Sequence, residues 1–359
     1  MEYLGFLFQN SILLKFRMIR IAAFTGGRDV PSARFRVRQY INMLRNEGIE
    51  VTEFSSLLGT YPPKRRILRP IWSVATLATR LPDVIRSHKY DMTILQREIF
   101  STFLTLEPLT KRPRVLDVDD AIWLLRRGKF AARLAKECDV IICGNNFIAD
   151  KFSQWNRNVT IINTAVDTDK FVPDQPTEEP IIGWIGTFGG FEYLYGIESA
   201  LKDVLKTNMR AILRIVSDEP PHFKNIPKDR IEYIKWSPEN EVRSIQGMAV
   251  GIMPLDDSLW SRGKCSYKML TYMSCGIPVV VSPIGMNVEV LSKGNVGFGP
   301  ISIDDWVNSL LYLLSNVKDR SEIGMNGRNV VINNYSKRVI IPKLAKTILR
   351  LNSGEYYSI

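Results

Sequence analysis

The chain has 359 residues, 45% of them hydrophobic, and sets 48 Lys and Arg against 37 Asp and Glu for a formal charge of +11. That length suggests two ordinary domains with ample material for their cores, and the composition excludes a disordered or collagen-like chain. The positive balance implies an acidic partner, whether nucleic acid, a phosphorylated small molecule or an anionic membrane surface, and does not choose among them.

Residues 1–17 (MEYLGFLFQNSILLKFR) are apolar but too short to span a bilayer, and Glu2 with no small-residue cleavage site argues against a signal peptide. Three readings stay open for this N-terminal extension: translation that starts at Met18, a loose tail or extra helix, or an interfacial anchor. From Met18, MIRIAAFTGG reads as a strand running into a glycine turn. In PSARFRVRQYINMLRNEG, Val37, Tyr40, Ile41 and Leu44 fall at helical spacing, and Gly48 ends that helix before the strand IEVTEF. A basic stretch, YPPKRRILRP, leads to a helix over 71–87, and buried-type strands follow at DMTILQ, RVLDVD, DVIICG and VTIINT.

The polar, proline-rich segment VDTDKFVPDQPTEEP reads as a connection, after which the pattern restarts. IIGWIGTFGG is again strand into glycine turn, with a helix over 191–206 and strands at RAILRIV, IEYIKW, GIMPL and IPVVVS. The expected fold is α/β, with two doubly wound Rossmann-like domains facing each other across a cleft. The expected divisions are 18–170 for the first domain, 171–180 for the linker and 181–335 for the second. Cys138, Cys143, Cys265 and Cys275 form no C-x-x-C pair, which favours a reducing compartment. The only histidines, His88 and His222, are too far apart in sequence to suggest a zinc site.

Chemistry is expected in the loops after the strands. Arg262 and Lys264 immediately precede a helix that Ser266 is expected to cap, with Met269, Leu270 and Met273 on its apolar side and Gly276 and Pro278 ending it. Cations at a positive helix end oppose the local field unless an anion joins them, so a phosphate site is expected, the alternative being loop charges neutralised by Asp256 and Asp257. Arg34, Arg36 and Arg38 pose the same question in the first half, with a solvated basic face as the alternative. Gly183, Gly186, Gly189 and Gly190 space as G-x-x-G-x-x-G-G, a weak sign of dinucleotide binding that serves equally as plain turn chemistry. Acidic residues gather at two strand ends, in LQRE (Gln96, Arg97, Glu98) and LDVDDAIW (Asp117, Asp119, Asp120). Such carboxylates suit sugar hydroxyls or a cation, while Asp119 or Asp120 could instead cap a helix.

Together these stretches resemble the GT-B glycosyltransferases, and specifically a branch of glycosyltransferase family 4. The resemblance rests on PSARFRVRQYINMLRNEGIEV, TILQRE, LDVDDAIW, the GN of ICGNNFIAD, VTIINTAVDTDKF, IIGWIGTFGG and, as the most specific, WSRGKCSYKMLTYMSCGIPVVVSPIG. It implies a nucleotide-sugar substrate bound by the second domain, an acceptor on the first, retention at the anomeric carbon, and neither cofactor nor metal. It also implies that residues 336–359 form a helix returning to the first domain. Donor binding would then fall to Gly186, Thr187, Arg262, Lys264, Ser266, Tyr267, Asn287 and Glu289. Asp119 and Asp120 would be catalytic, and Arg34, Arg36, Arg97 and Glu98 would serve the acceptor or phosphate side. The chain departs from the family at Gly263 and Thr271, where many relatives carry paired glutamates, and at Asp119–Asp120, where a histidine is common.

The resulting expectation is a cytoplasmic transferase in cell-surface polysaccharide assembly, acting on a glycan or lipid-linked acceptor. The basic first half points to a peripheral stay at the inner face of an anionic membrane. The rivals are a nucleotide-sugar epimerase of the same architecture and a non-catalytic nucleotide- or nucleic-acid-binding protein. Against nucleic acid stands the lack of aromatic residues interleaved with basic ones.

Overall fold

Short runs of β-branched and aliphatic residues make two sheets, and the helices between them cover both faces. The computed structural model describes residues 18–355 apart from Asp29, Thr60, Lys64, Ser101, Thr102 and Pro176. The readings of 1–17 and of the last four residues of the C-terminal helix lie outside the described residues. In the first sheet the strands are β1 (Ile19–Thr25), β2 (Ile49–Ser55), β3 (Met92–Gln96), β4 (Arg114–Val118), β5 (Val140–Cys143) and β6 (Val159–Ile161). They lie in the order β2-β1-β3-β4-β5-β6, all parallel. The second sheet has β7 (Ile181–Ile185), β8 (Ile212–Ser217), β9 (Ile231–Lys235), β10 (Val250–Met253), β11 (Val279–Val281) and β12 (Gly297–Phe298). Its order is β12-β11-β10-β7-β8-β9, again all parallel. The α/β class with two doubly wound sheets is therefore the fold the sequence led us to expect.

The helices of the first half are α1 (Pro31–Arg36), α2 (Ile41–Asn46), α3 (Arg69–Ser87), α4 (Lys129–Glu137) and α5 (Asn146–Ser153). Those of the second are α6 (Phe191–Gly196), α7 (Glu198–Thr207), α8 (Glu241–Gln246), α9 (Leu259–Arg262), α10 (Tyr267–Ser274), α11 (Met286–Leu291), α12 (Ile303–Ser315) and α13 (Val317–Asn334). The last helix, α14 (Lys337–Asn352), buries Ile340, Ile341, Leu344 and Ile348 in one cluster with Ile21, Tyr40 and Leu44 of the first domain. Two helices expected to be continuous are broken. The run after β1 bends at Val37 (φ −127°, ψ −65°), where Arg36 and Arg38 turn toward different carboxylates. The run over 191–206 breaks at Ile197, next to Gly196.

The strand orders locate the crevices. Order reverses between β1 and β3 in the first sheet and between β7 and β10 in the second, and ligands of open α/β sheets bind outside the carboxyl ends at such points. Arg97 and Glu98 follow β3, Gly186 and Thr187 follow β7, and α9 with the turn after it, bearing Arg262 and Lys264, follows β10. One buried apolar cluster runs from Leu116 and Val118 of the first sheet to Cys265, Met269 and Met273 of α10 and the loop before it, so the two crevices are pressed together.

Candidate functional site

Four charged side chains bridge the two sheet edges in series. Arg97 leaves β3 in the left-handed region (φ 63°) and its amide donates to the Asp117 carbonyl at 3.0 Å. That turn aims the guanidinium at the next strand end, where Nε donates to Asp119 Oδ1 at 2.8 Å and a terminal nitrogen donates to Asp120 Oδ2. Asp120 Oδ1 in turn accepts from Lys264 Nζ of the second domain at 2.9 Å. Burial pushes the Asp120 carboxyl up, but Arg97 and Lys264 outweigh it and hold it below the ordinary value, so it is an anion at neutral pH. Neither aspartate caps a helix, because the following helical turn begins at Ile122 without a side-chain cap.

The second domain is gripped by backbone as well as by charge. Asn145, at the end of β5, caps α5 by accepting from the Ile148 amide at 2.9 Å, and its amide nitrogen donates to the carbonyls of Gly263 (3.1 Å) and Lys264 (3.0 Å). Cys265 Sγ donates to the Asp119 carbonyl at 3.2 Å. A Cβ at Gly263 would sit 2.8 Å from Ala121 Cβ and 2.9 Å from its amide nitrogen, so only glycine allows this approach. The glutamate common in relatives at this position cannot stand against Ala121. At the other departure, Thr271 is 3% exposed and spends its hydroxyl on the Lys268 carbonyl at 2.8 Å.

Several expected ligands are committed elsewhere. Arg36 is 5% exposed and makes a bidentate pair with Asp117 at 3.0 and 2.6 Å, with a further bond to the Ile162 carbonyl; burial opposes its charge, and the Asp117 carboxylate more than restores it. It supports the sheet and does not face a phosphate. Arg34 donates to Glu241 at the start of α8, which Lys170 also contacts at 3.0 Å, and lies over Trp236 at 5.1 Å. Arg38 holds Glu53 through two bonds of 2.8 Å. The anions that these three arginines call for are thus carboxylates of the protein itself. Arg262 is likewise held by Asp257 at 2.7 and 3.0 Å, in the open, as the neutralised-loop alternative had it.

Ser266 does not cap α10. Its backbone is left-handed (φ 52°), which turns the hydroxyl onto Asn287 Oδ1 at 2.7 Å, and Asn287 spends its amide on the Ser282 carbonyl at 2.9 Å. Both residues are 1% exposed and lock α10 to α11 from within. Tyr267 packs its ring on Phe35 of the first domain, 3.8 Å between centroids. Glu289 lies on α11, close enough to Tyr335 to raise the phenol's pKa after burial has done so. Glu98 is buried at 4% exposure beside Arg97.

One residue of the crevice escaped the sequence reading. Lys268, in the first turn of α10, lies along the glycine turn after β7, its ammonium 4.6 Å from the centre of the Trp184 ring. A Cβ at Gly186 would come within 2.9 Å of Lys268 Cε, so the absence of a side chain there makes room for the lysine stem. Among the described residues no carboxylate lies within ion-pair reach of Lys268. Burial first, and Lys264 second, bring its pKa down to about 8. Lys264 and Lys268 thus form a pair of neighbouring cations, Lys268 lying against Gly186 and Gly190, with one of the two charges unneutralised by the protein. Its signal in the sequence was a second lysine in the first turn of the helix that follows Lys264.

Residues 179–316 match the family model described as glycosyl transferases group 1. No curated protein sequence matches the chain. Among solved structures, the chain is similar to sucrose-phosphate synthase from Thermosynechococcus elongatus, with a TM-score of 0.70 at 14% identity over 94% of this chain and 100% of that one. It is similar to Anabaena Alr3699/HepE in complex with UDP and glucose, with a TM-score of 0.68 at 13% identity over 92% and 99%. A third similarity is to WaaG, a glycosyltransferase involved in lipopolysaccharide biosynthesis, with a TM-score of 0.65 at 11% identity over 91% and 99%.

Proposed function

For a chain with the GT-B fold, whose second domain matches the group 1 glycosyl transferases, we propose a retaining transferase that moves a sugar from a nucleotide-sugar donor to a glycan or lipid-linked acceptor. The observation that carries this reading is the Lys264–Lys268 pair at the second sheet's switch point, with Lys268 lying against the Gly186 turn. Two ammonium groups suit a diphosphate, and their value rises in transfer, when the departing nucleoside diphosphate gains negative charge. Lys264 exchanges Asp120 for the donor phosphate. Asp120, released from Lys264 but still held by Arg97, and Asp119 are then available to accept hydrogen bonds from sugar hydroxyls.

UDP-sugars are the first donors to try, since the Anabaena structure holds UDP and glucose. Metal-independent chemistry is part of the proposal. The setting proposed is cytoplasmic, in cell-surface polysaccharide assembly and peripheral at the inner face of the membrane. Among the described residues no helix is long and apolar enough to cross a bilayer.

The test is thermal stability against UDP, GDP, dTDP and CMP for the protein and for Lys264→Ala. Selective stabilisation by one nucleoside phosphate that the variant loses supports the donor site, about 2.7 kcal/mol being expected at a hundredfold excess over Kd. Indifference to all of them overturns it. A donor altered in the absence of any acceptor would favour the epimerase. Tight oligonucleotide binding that UDP and GDP do not compete would favour a nucleic-acid-binding protein.

A further inference from the structure

Helix α3 is built inside out. Its buried residues are Thr76, Arg80, Val84 and Ser87, whereas Ile71, Val74, Leu81 and Ile85 along it, and Ile67 just before it, are 70%, 69%, 43%, 64% and 83% exposed. Their spacing draws one apolar line along the outer face, the reverse of what a helix on a water-facing surface presents. The orientation is fixed from within. Arg80, 1% exposed, donates to the Phe54 carbonyl at 2.7 Å and the Thr25 carbonyl at 2.6 Å, at the ends of β2 and β1. Rolling α3 to bury its isoleucines would withdraw the guanidinium and strip both strand ends of a donor.

We infer that the outer face of α3 is a docking surface for an anionic lipid bilayer, with the isoleucine line entering the headgroup boundary. Charge complementarity selects this occupant. Arg65, Arg66 and Arg69 are exposed around its amino end and Arg86 and Lys89 at its carboxyl end, while Asp83 is the single acid between residues 57 and 89. An apolar stripe fringed at both ends by basic side chains suits acyl chains beneath acidic headgroups. A second copy of this chain fits poorly, because two-fold pairing of the helices sets arginine clusters against basic residues.

The surface also leads to the cleft. In the loop before α3, Tyr61 lies beside Arg97, and Trp72 of α3 stacks on Phe100 at 5.2 Å, two residues beyond Glu98. A chain docked through α3 would hold the Arg97 side of its cleft next to the membrane, where a lipid-linked acceptor would be reached by its head. This last step rests on the transferase reading; the docking itself does not.

The experiment is flotation of the full chain with vesicles of phosphatidylcholine, alone or with about a third phosphatidylglycerol, alongside nucleotide-dependent thermal stability. About tenfold more protein is expected on the anionic vesicles, with the difference falling as salt is raised. Ile71→Ser/Val74→Ser/Ile85→Ser should cut that binding about tenfold, and Arg65→Gln/Arg66→Gln/Arg69→Gln should do the same, with the nucleotide response unchanged in both. The inference is overturned if the parent protein stays off anionic vesicles, or if the isoleucine variant floats as well as the parent. It is also overturned if that variant dissolves a dimer seen without lipid. Loss of the nucleotide response alone would remove the transferase reading and leave the docking standing.

Discussion

The two basic turns of this protein look alike in sequence and differ in structure. Around α1, Arg34, Arg36 and Arg38 each hold a carboxylate, from Glu241, Asp117 and Glu53. Ahead of and within α10, Lys264 borrows Asp120 from across the cleft, and Lys268 has burial and an aromatic ring but no acid among the described residues. A run of cations is therefore not in itself an anion site. What separates the two is whether the protein supplies the counter-charge from its own interior, or lends one across a cleft that a ligand can take over.

The largest effect should come where the pairing is internal. Arg36 and Asp117 have side chains only 2% and 7% exposed, so Arg36→Ala leaves a carboxylate uncompensated inside the sheet edge. A loss of about 3–5 kcal/mol is expected in urea unfolding, with much of it recovered in Arg36→Met/Asp117→Leu, which removes both charges. Stability close to the parent's, together with weakened phosphate binding, would break the comparison by making Arg36 a ligand group after all.

Lys268 should behave in the opposite way, costing affinity and not stability. Lys268→Met is expected to weaken nucleoside diphosphate binding about tenfold, as loss of one charge-assisted contact would. The pH dependence is more telling. With a folded-state pKa of about 8 against an ordinary 10.5, the unfolded chain binds more protons than the folded one between those values. The free protein therefore gains stability as pH rises from 8 toward 10.5, whereas affinity for a diphosphate falls over the same range as the ammonium is lost. Opposite slopes from one residue, both abolished in Lys268→Met, would be hard to obtain from a lysine outside the site. Parallel slopes would remove it from the donor crevice.

A smaller effect belongs to Asn145, whose single amide caps α5 and holds the carbonyls of Gly263 and Lys264. Asn145→Asp keeps the cap acceptor but removes the donor. It also turns a buried carboxylate oxygen toward two carbonyls, so it should cost more stability than Asn145→Ala, for which about 1–2 kcal/mol is expected, while both weaken the hold between the domains. Thermal unfolding with and without nucleotide separates the two roles.

How far the sequence revealed this arrangement depended on the range of the interactions. The sheets were legible because strands such as IRIAAFT and IIGWI announce themselves locally and end in glycine turns. The bend at Val37 was not, since its cause lies in Asp117, 81 residues from Arg36, and in Glu53. Lys264 stood out by its place before a helix, but its partner Asp120 lies 144 residues away. Ser266 has a good capping side chain, and only its left-handed backbone shows why it binds Asn287 instead. The inverted face of α3 was hidden because helical periodicity reports that an apolar stripe exists and not which way it faces; the two strand-end carbonyls held by Arg80 decide that.

The smallest expected effect is at Arg262, which the sequence placed beside Lys264 as a donor ligand. Its guanidinium is exposed, forked onto Asp257, and this partner raises its pKa. A solvated pair of this kind contributes little, and a phosphate in the crevice would have to draw the arginine away from an acid already satisfied. Arg262→Ala should therefore change nucleotide affinity by no more than about twofold, against the full loss expected for Lys264→Ala. An effect of Arg262→Ala as large as that of Lys264→Ala would mean that Asp257, like Asp120, is a lender. The boundary between internal and exchangeable counter-charges would then have to be drawn wider in the second domain.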